Sequence, residues 1–310
     1  MKQKKGAAVM KQLKKFYEGK RVLVTGGAGF IGSHLVEKLV NIGARVTVLD
    51  NFSSGKIHNL KNVIPNVTII YSDVSLDHVG LKATHNQDMV FHLAALVSVP
   101  QSIKYPELCE KINTQGTKNL LNGCVKNRVS TLIFSSSCAI YGNKQGPCSE
   151  NDSPCPLSPY AQSKLMAENL CVKYSQDFAI KTACLRYFNV FGERQNFNGD
   201  YAAVIAKFKY NLENNLPLTI FGDGTQTRDF IPVDEVVDAN LRIGMLQNLN
   251  GEVFNIASGK SISIIDLIKT LEKEVGKSAP EIKFEGARSG DITHSVASCE
   301  KYKNIIMSAF

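Results

Sequence analysis

The sequence predicts an α/β fold, a doubly wound parallel sheet followed by a smaller mixed α/β C-terminal domain. Three observations carry that prediction. Short β-rich apolar runs alternate with helix-length segments through the first half of the chain, the pattern of a parallel sheet covered on both faces. A glycine-rich turn stands between the first such run and the helical segment after it. Beyond about Arg186 the alternation loosens, and glycine, proline, asparagine and aromatic residues become frequent, as in Phe191–Asp200 and Phe221–Pro232. At 310 residues the chain is long enough to bury a substantial core.

Residues 1–20 hold seven lysines and one glutamate, so most of the formal charge of +8 lies in this leader and the rest of the chain is close to balance. A basic run of this kind reads as a solvated face, and no nucleic-acid partner is expected. Ala7, Ala8, Leu13 and Phe16 sit among good helix formers, which predicts a short helix. Strands are expected at Arg21–Thr25, Arg45–Asp50, Val67–Tyr71, Asp88–Leu93 and Thr131–Ser135, with helices over Ile31–Asn41 and Glu107–Lys126. Residues 21–186 form the expected nucleotide-binding domain. Residues 187–310 form a substrate-binding domain intertwined with it, with helices over Tyr201–Asn211 and Asp234–Leu246 and a strand at Val253–Ile256.

No run of 18 apolar residues occurs, so no membrane span is expected. The start of the chain lacks the apolar stretch of a secretion signal. Eight cysteines without a CxxC pair read as buried small hydrophobes in a reducing compartment, which places the protein in the cytoplasm and argues against a metal site.

Gly26, Gly29 and Gly32 are spaced GxxGxxG between the first strand and the first long helix. Glycine permits a tight turn and close approach of backbone to a pyrophosphate, and the helix N-terminus offers free N–H groups and a positive dipole end. Asp50 ends the second strand. A carboxylate there accepts both ribose hydroxyls of NAD and repels the 2′-phosphate of NADP, although Lys56 nearby would tolerate a phosphate. The strand–turn–helix context with the following acid predicts a Rossmann-type NAD site. Asp73, after the third strand, is placed to meet the adenine amino group.

Tyr160 and Lys164 are four residues apart and share one face of a predicted helix. A lysine beside a phenol stabilises the phenolate, lowers its pKa from about 10, and fits the tyrosine for proton transfer. Ser135, Ser136 and Ser137 end a strand upstream, and the Ser137 hydroxyl is placed to bond the substrate oxygen that Tyr160 deprotonates.

In this order the motifs resemble the extended short-chain dehydrogenase/reductase family and, within it, the UDP-hexose 4-epimerase branch. The matching stretches are VTGGAGFIGSHL, LDNFSSGK, FHLAA, NTQGT, FSSSCAIYG, SPYAQSKLMAE, LRYFNVFG, IFGDGTQTRDFIPVDEV and ARSGDI, which run from about residue 21 to residue 300. The resemblance implies a tightly bound, recycled NAD held by Gly26, Gly29, Phe30, Ile31, Gly32, Asp50, Asn51, Ser53, Ser54, Gly55, Asp73, Val74, Leu93, Ala94, Ala95, Asn113, Ser135, Tyr160, Lys164 and Phe188. It implies Tyr160 as acid/base at the sugar O4, with Lys164 and Ser137 assisting. Asn189, Phe221, Arg228, Arg288, Asp291 and Ser295, together with Ser137 and Tyr160, would contact a UDP-sugar.

Related dehydratases carry an Asp-Glu pair just after the strand-end hydroxyl, and related decarboxylases keep the glutamate. Here Cys138 and Ala139 stand there, which favours epimerisation through a 4-keto sugar. By the same resemblance the residue that would line the hexose pocket is Ser295, small enough to admit a 2-acetamido group, so UDP-N-acetylglucosamine and UDP-N-acetylgalactosamine are the expected pair. A UDP-glucose 4-epimerase, another nucleotide-sugar reductase and a non-catalytic NAD-binding regulator stay open as alternatives. The resemblance further implies a homodimer through helices around Glu107–Lys126 and Tyr160–Gln176, where Leu165, Leu170 and Val172 suit such a contact or the core.

Overall fold

The structure, a computed structural model, describes residues 2–195, 204–286 and 292–309. Its helices are α1 (Lys2–Tyr17), α2 (Phe30–Asn41), α3 (Asp77–Ala83), α4 (Val99–Lys104), α5 (Pro106–Glu110), α6 (Gly116–Lys126), α7 (Pro159–Asp177), α8 (Val204–Glu213), α9 (Val233–Gly244), α10 (Ile264–Val275) and α11 (Glu300–Ala309). Its strands are β1 (Arg21–Thr25), β2 (Arg45–Asp50), β3 (Val67–Tyr71), β4 (Met89–His92), β5 (Thr131–Ser137), β6 (Lys181–Tyr187), β7 (Asn189–Phe191), β8 (Leu218–Phe221), β9 (Thr227–Pro232), β10 (Glu252–Ile256), β11 (Ser261–Ser263) and β12 (Ile282–Glu285).

Among the described residues, seven strands form one parallel sheet in the order β10-β6-β5-β4-β1-β2-β3. The order reverses between β1 and β4, and open α/β sheets bind ligands at such a switch point, outside the C-terminal strand ends. β1, β4 and β5 are apolar and buried almost throughout because helices cover both faces. One core lies on the side of α1, α2 and α9, and the other on the side of α3, α6 and α7. The C-terminal part supplies a mixed three-stranded sheet, β11-β9-β7, and a parallel pair, β12-β8, over a third apolar cluster. Its β10 returns to the edge of the large sheet beside β6, with Val253 opposite Cys184.

Two stretches differ from expectation. The leader forms a 16-residue helix that belongs to the core instead of a short, merely solvated one. Leu13 and Tyr17 are fully buried, and the Tyr17 hydroxyl donates to the Leu241 carbonyl in α9 at 2.8 Å. Lys11, Lys14 and Lys15 stay exposed on the other face. The segment expected as one helix over Glu107–Lys126 is α5, a π-helical turn at Lys111–Gln115, and α6.

Candidate active site

Five strands of the large sheet deliver the predicted residues to one end. β1 runs into the glycine turn, β2 ends on Asp50, β4 leads into Leu93-Ala94-Ala95, β5 ends on Ser137, and β6 leads into Phe188 and Asn189. Gly26 has φ of 67°, and a Cβ there would stand 2.8 Å from the Ala94 backbone nitrogen. A Cβ on Gly32 would fall 2.1 Å from the Gly26 carbonyl oxygen, so the turn closes only on glycine. Gly29 precedes α2 without a side-chain cap, which leaves the first N–H groups of the helix, from Phe30 and Ile31 onward, available to an anion.

The Asp50 carboxylate accepts from Ala28 N at 2.9 Å and Phe52 N at 2.8 Å. These bonds fix its oxygens beside the glycine turn, and a carboxylate has further acceptor sites for ribose hydroxyls. Asn51 donates to Asp73 at 2.7 Å and accepts from both the N–H and the hydroxyl of Ser53. Ser54 is exposed, while Gly55 and Val74 are buried. A glycine cradle, an uncapped helix end and a strand-end carboxylate together fit a dinucleotide.

Tyr160 and Lys164 sit on α7, which Ser158 caps by accepting from Ala161 N at 3.2 Å. Burial pushes the Tyr160 phenol up to about 12, and a hydrogen bond with the Ser137 hydroxyl pulls it back. Burial lowers Lys164 to about 8, against the neighbouring Cys109 and Cys171. Lys164 Nζ donates to the Ser135 carbonyl at 2.8 Å and lies 4.9 Å over the Phe134 ring. The expectation of a phenol lowered by Lys164 is therefore corrected: burial raises it, and the group that pulls it down is Ser137, not the lysine. The phenolate needs further positive charge in the site.

The sequence profile of the NAD dependent epimerase/dehydratase family matches residues 22–257. The chain belongs to that family. A putative UDP-glucose 4-epimerase of Methanocaldococcus jannaschii is 36% identical over 287 residues, 92% of this chain and 92% of that protein. A UDP-N-acetyl-alpha-D-glucosaminuronate decarboxylase of Bacillus cytotoxicus is 35% identical over 92% of this chain and 94% of its own length. Among solved structures, the UDP-N-acetylglucosamine 4-epimerase from Methanobrevibacter ruminantium M1, in complex with UDP-N-acetylmuramic acid, superposes with a TM-score of 0.89 at 39% identity, over 94% of this chain and 93% of that one.

In this NAD-dependent enzyme a cavity of about 270 Å³ opens beside Ser137, between the large sheet and the C-terminal part. Cys138, Phe188, Asn189, Arg228 and Ser295 line it. Burial, then Cys148, pushes the Cys138 thiol up to about 12, so it stays protonated and is no base; Ala139 beside it has no polar group. Phe221 ends β8 away from this lining. Arg288 and Asp291 fall outside the described residues. Asn113 braces the strip that follows β4. Its Oδ1 accepts from Leu96 N at 2.7 Å, and its Nδ2 donates to Leu96 O at 3.0 Å and Ser163 Oγ at 2.9 Å.

Sequence reasoning also passed over Glu168 and Arg186, which form an ion pair that is 4% exposed on each side. Glu168 accepts from Ser136 Oγ at 2.8 Å and Arg186 Nε at 3.1 Å, tying α7 to β5 and β6 below Ser137. Its spacing was the available signal, since Glu168 follows Lys164 by one helical turn.

Proposed function

We propose that the enzyme is a 4-epimerase of UDP-sugars that interconverts UDP-N-acetylglucosamine and UDP-N-acetylgalactosamine through a 4-keto intermediate. Ser295 carries this reading. Its side chain is small, 6% exposed, and lines the cavity with Cys138 and Arg228, where a larger residue would occupy the room needed by an acetamido group. The similar archaeal structure solved with an acetamido-sugar nucleotide supports it. The relative named as a UDP-glucose 4-epimerase favours a second reading, plain hexoses alone. Decarboxylation is disfavoured because Cys138 and Ala139 supply no carboxylate beside Ser137.

NAD, when bound, supplies the hydride acceptor and donor for C4 and, in its oxidised form, a positive ring. Tyr160 takes the O4 proton from one epimer and returns it to the other. Ser137, whose hydroxyl pulls the phenol down, orients the oxygen between them. Lys164, charged at neutral pH on the same helix face, adds to the pull that lowers the phenol in the loaded site. Arg228 offers its guanidinium to the diphosphate. Eight free cysteines support a reducing, cytoplasmic setting. Half-exposed Ile103, Tyr105 and Leu108 next to α7 support a homodimer through this face, which sedimentation velocity would test.

The deciding experiment follows products by NMR from each of the two acetamido and two plain UDP-hexoses, with Tyr160→Phe as control. Interconversion of the acetamido pair is expected, with the control slower by about 10²–10⁴-fold. Turnover restricted to the plain hexoses would overturn the substrate reading. Full activity in the control would overturn the acid/base role.

A further inference from the structure

Five polar side chains, none more than 2% exposed, run through the interior from the β4 end to the catalytic helix: Thr25, His92, Thr117, Asn113 and Ser163. His92 Nδ1 lies 2.7 Å from Thr25 Oγ1, and its Nε2 lies 2.9 Å from Thr117 Oγ1. The direction of every bond follows from groups whose roles are fixed. Thr117 has one hydroxyl proton, which it donates to the Asn113 carbonyl at 2.6 Å. His92 Nε2 must therefore carry the proton of its bond to Thr117, and Nδ1 must accept from the Thr25 hydroxyl. Thr25 Oγ1 in turn accepts from the N–H groups of Leu93 and Ala94, each at 3.2 Å. At the other end the Asn113 amide is oriented by Leu96, donates to Ser163 Oγ at 2.9 Å, and the Ser163 hydroxyl donates to the Tyr160 carbonyl at 2.8 Å.

We propose that this chain is a positioning network that locks the Leu93–Leu96 strip to the helix carrying Tyr160 and Lys164, with His92 fixed as its neutral Nε2–H tautomer. Its functional part rests on the reading of that strip as a cofactor contact and of Tyr160 as the acid/base. Geometry supports it at three points. The bonds from Thr25 through His92 and Thr117 run in one direction to the Asn113 main-chain carbonyl and polarise one another, and the Asn113 side-chain amide carries the link on to Ser163. Asn113 lies on the π-helical turn, an irregularity that re-aims a side chain out of helical register. A protonated His92 would place a second donor against Thr25 Oγ1, release the contacts of Leu93 and Ala94, and stand near the Lys164 charge. Consistently, burial first and Lys164 second hold the imidazole down to about 3.

The test uses NAD-loaded enzyme with ¹⁵N-labelled histidine. Long-range ¹H–¹⁵N spectra should show one neutral Nε2–H imidazole that does not titrate between about pH 5 and 8. His92→Gln assigns it by loss; should that variant not fold, substitution of the other histidines in turn assigns it by elimination. An Nδ1–H pattern, or titration in that range, would overturn the tautomer. Thr117→Val should release NAD more readily and lower kcat by about 10–100-fold with KM within about two-fold, and Thr117→Ser should restore both. A Thr117→Val enzyme that loses thermal stability yet keeps wild-type NAD retention and kcat would overturn the coupling. The imidazole spectrum and NAD retention need no sugar, so they stand or fall apart from the choice of UDP-sugar.

Discussion

Replacing Lys164 with methionine should abolish turnover and yet make the NAD-free protein slightly more stable at neutral pH. Lys164 is 3% exposed, and burial lowers it from 10.5 to about 8. At ~1.36 kcal/mol per unit, the fold holds about 3 kcal/mol against the charged form. Methionine keeps an unbranched stem against Phe134 but loses the donor to the Ser135 carbonyl, and an unpaired carbonyl costs about 1–3 kcal/mol. The net gain near pH 7 is therefore about 0–2 kcal/mol. The folded pKa lies below the unfolded one, so between about 8 and 10.5 the unfolded chain binds more protons, and the wild type gains stability as pH rises through that window. Methionine has no such dependence, so its advantage shrinks and then reverses near pH 10. Urea unfolding of both proteins at pH 7 and pH 10 measures this. A variant less stable by more than about 1 kcal/mol at pH 7, or a gap of the same size at both pH values, would refute the reasoning.

Three further outcomes are expected. Ser295→Tyr should lower kcat/KM for the acetamido sugars by about 10–100-fold and leave plain UDP-hexoses within a few-fold, read by coupled assays on both substrate pairs. Leu13→Ala should cost about 2–5 kcal/mol in urea unfolding with kcat unchanged, because the side chain is fully buried at the end of the sheet away from the site. Glu168→Ala leaves Arg186 buried without its partner and should destabilise by about 3–5 kcal/mol by the same measure.

The parts of this molecule legible in its sequence are those where a local pattern and a physical need coincide. β1, β2 and β3 have the expected bounds because each is an apolar β-branched run between turn residues. The glycine turn was legible because helix and strand there close only on glycine. Strand β6 was not anticipated: KTACLRY lacks a β-branched apolar run and carries two basic residues, and Arg186 is tolerated inside because Glu168 of α7 meets it. The leader showed its lysines and hid its packing, since Tyr17 finds its partners in α9 and β4, more than 70 positions away. Asn113 and His92 lie in the quoted motifs, NTQGT and FHLAA, but a motif does not say whether a polar group faces the ligand or braces what does. Only the count of its hydrogen-bond partners decides that.

The distribution of these costs along the sheet explains why a lysine-rich helix should be packed into the core at all. The C-terminal strand ends gather groups that are costly to bury: a lysine held near 8 and an ion pair taken out of water. On the proposed mechanism the lysine cannot be replaced by a hydrocarbon without losing the chemistry. The opposite end is free of that requirement. There Leu13, Tyr17, Met89 and Phe91 close the core, and Gly244 leaves room for the Tyr17 hydroxyl, since a Cβ would stand 2.5 Å from it. The buried stripe of α1 is narrow, and Lys11, Lys14 and Lys15 remain in water. Stability gained at one end of the strands thus offsets strain at the other through the parallel strands they share, and a site of this kind is compatible with a marginal net stability.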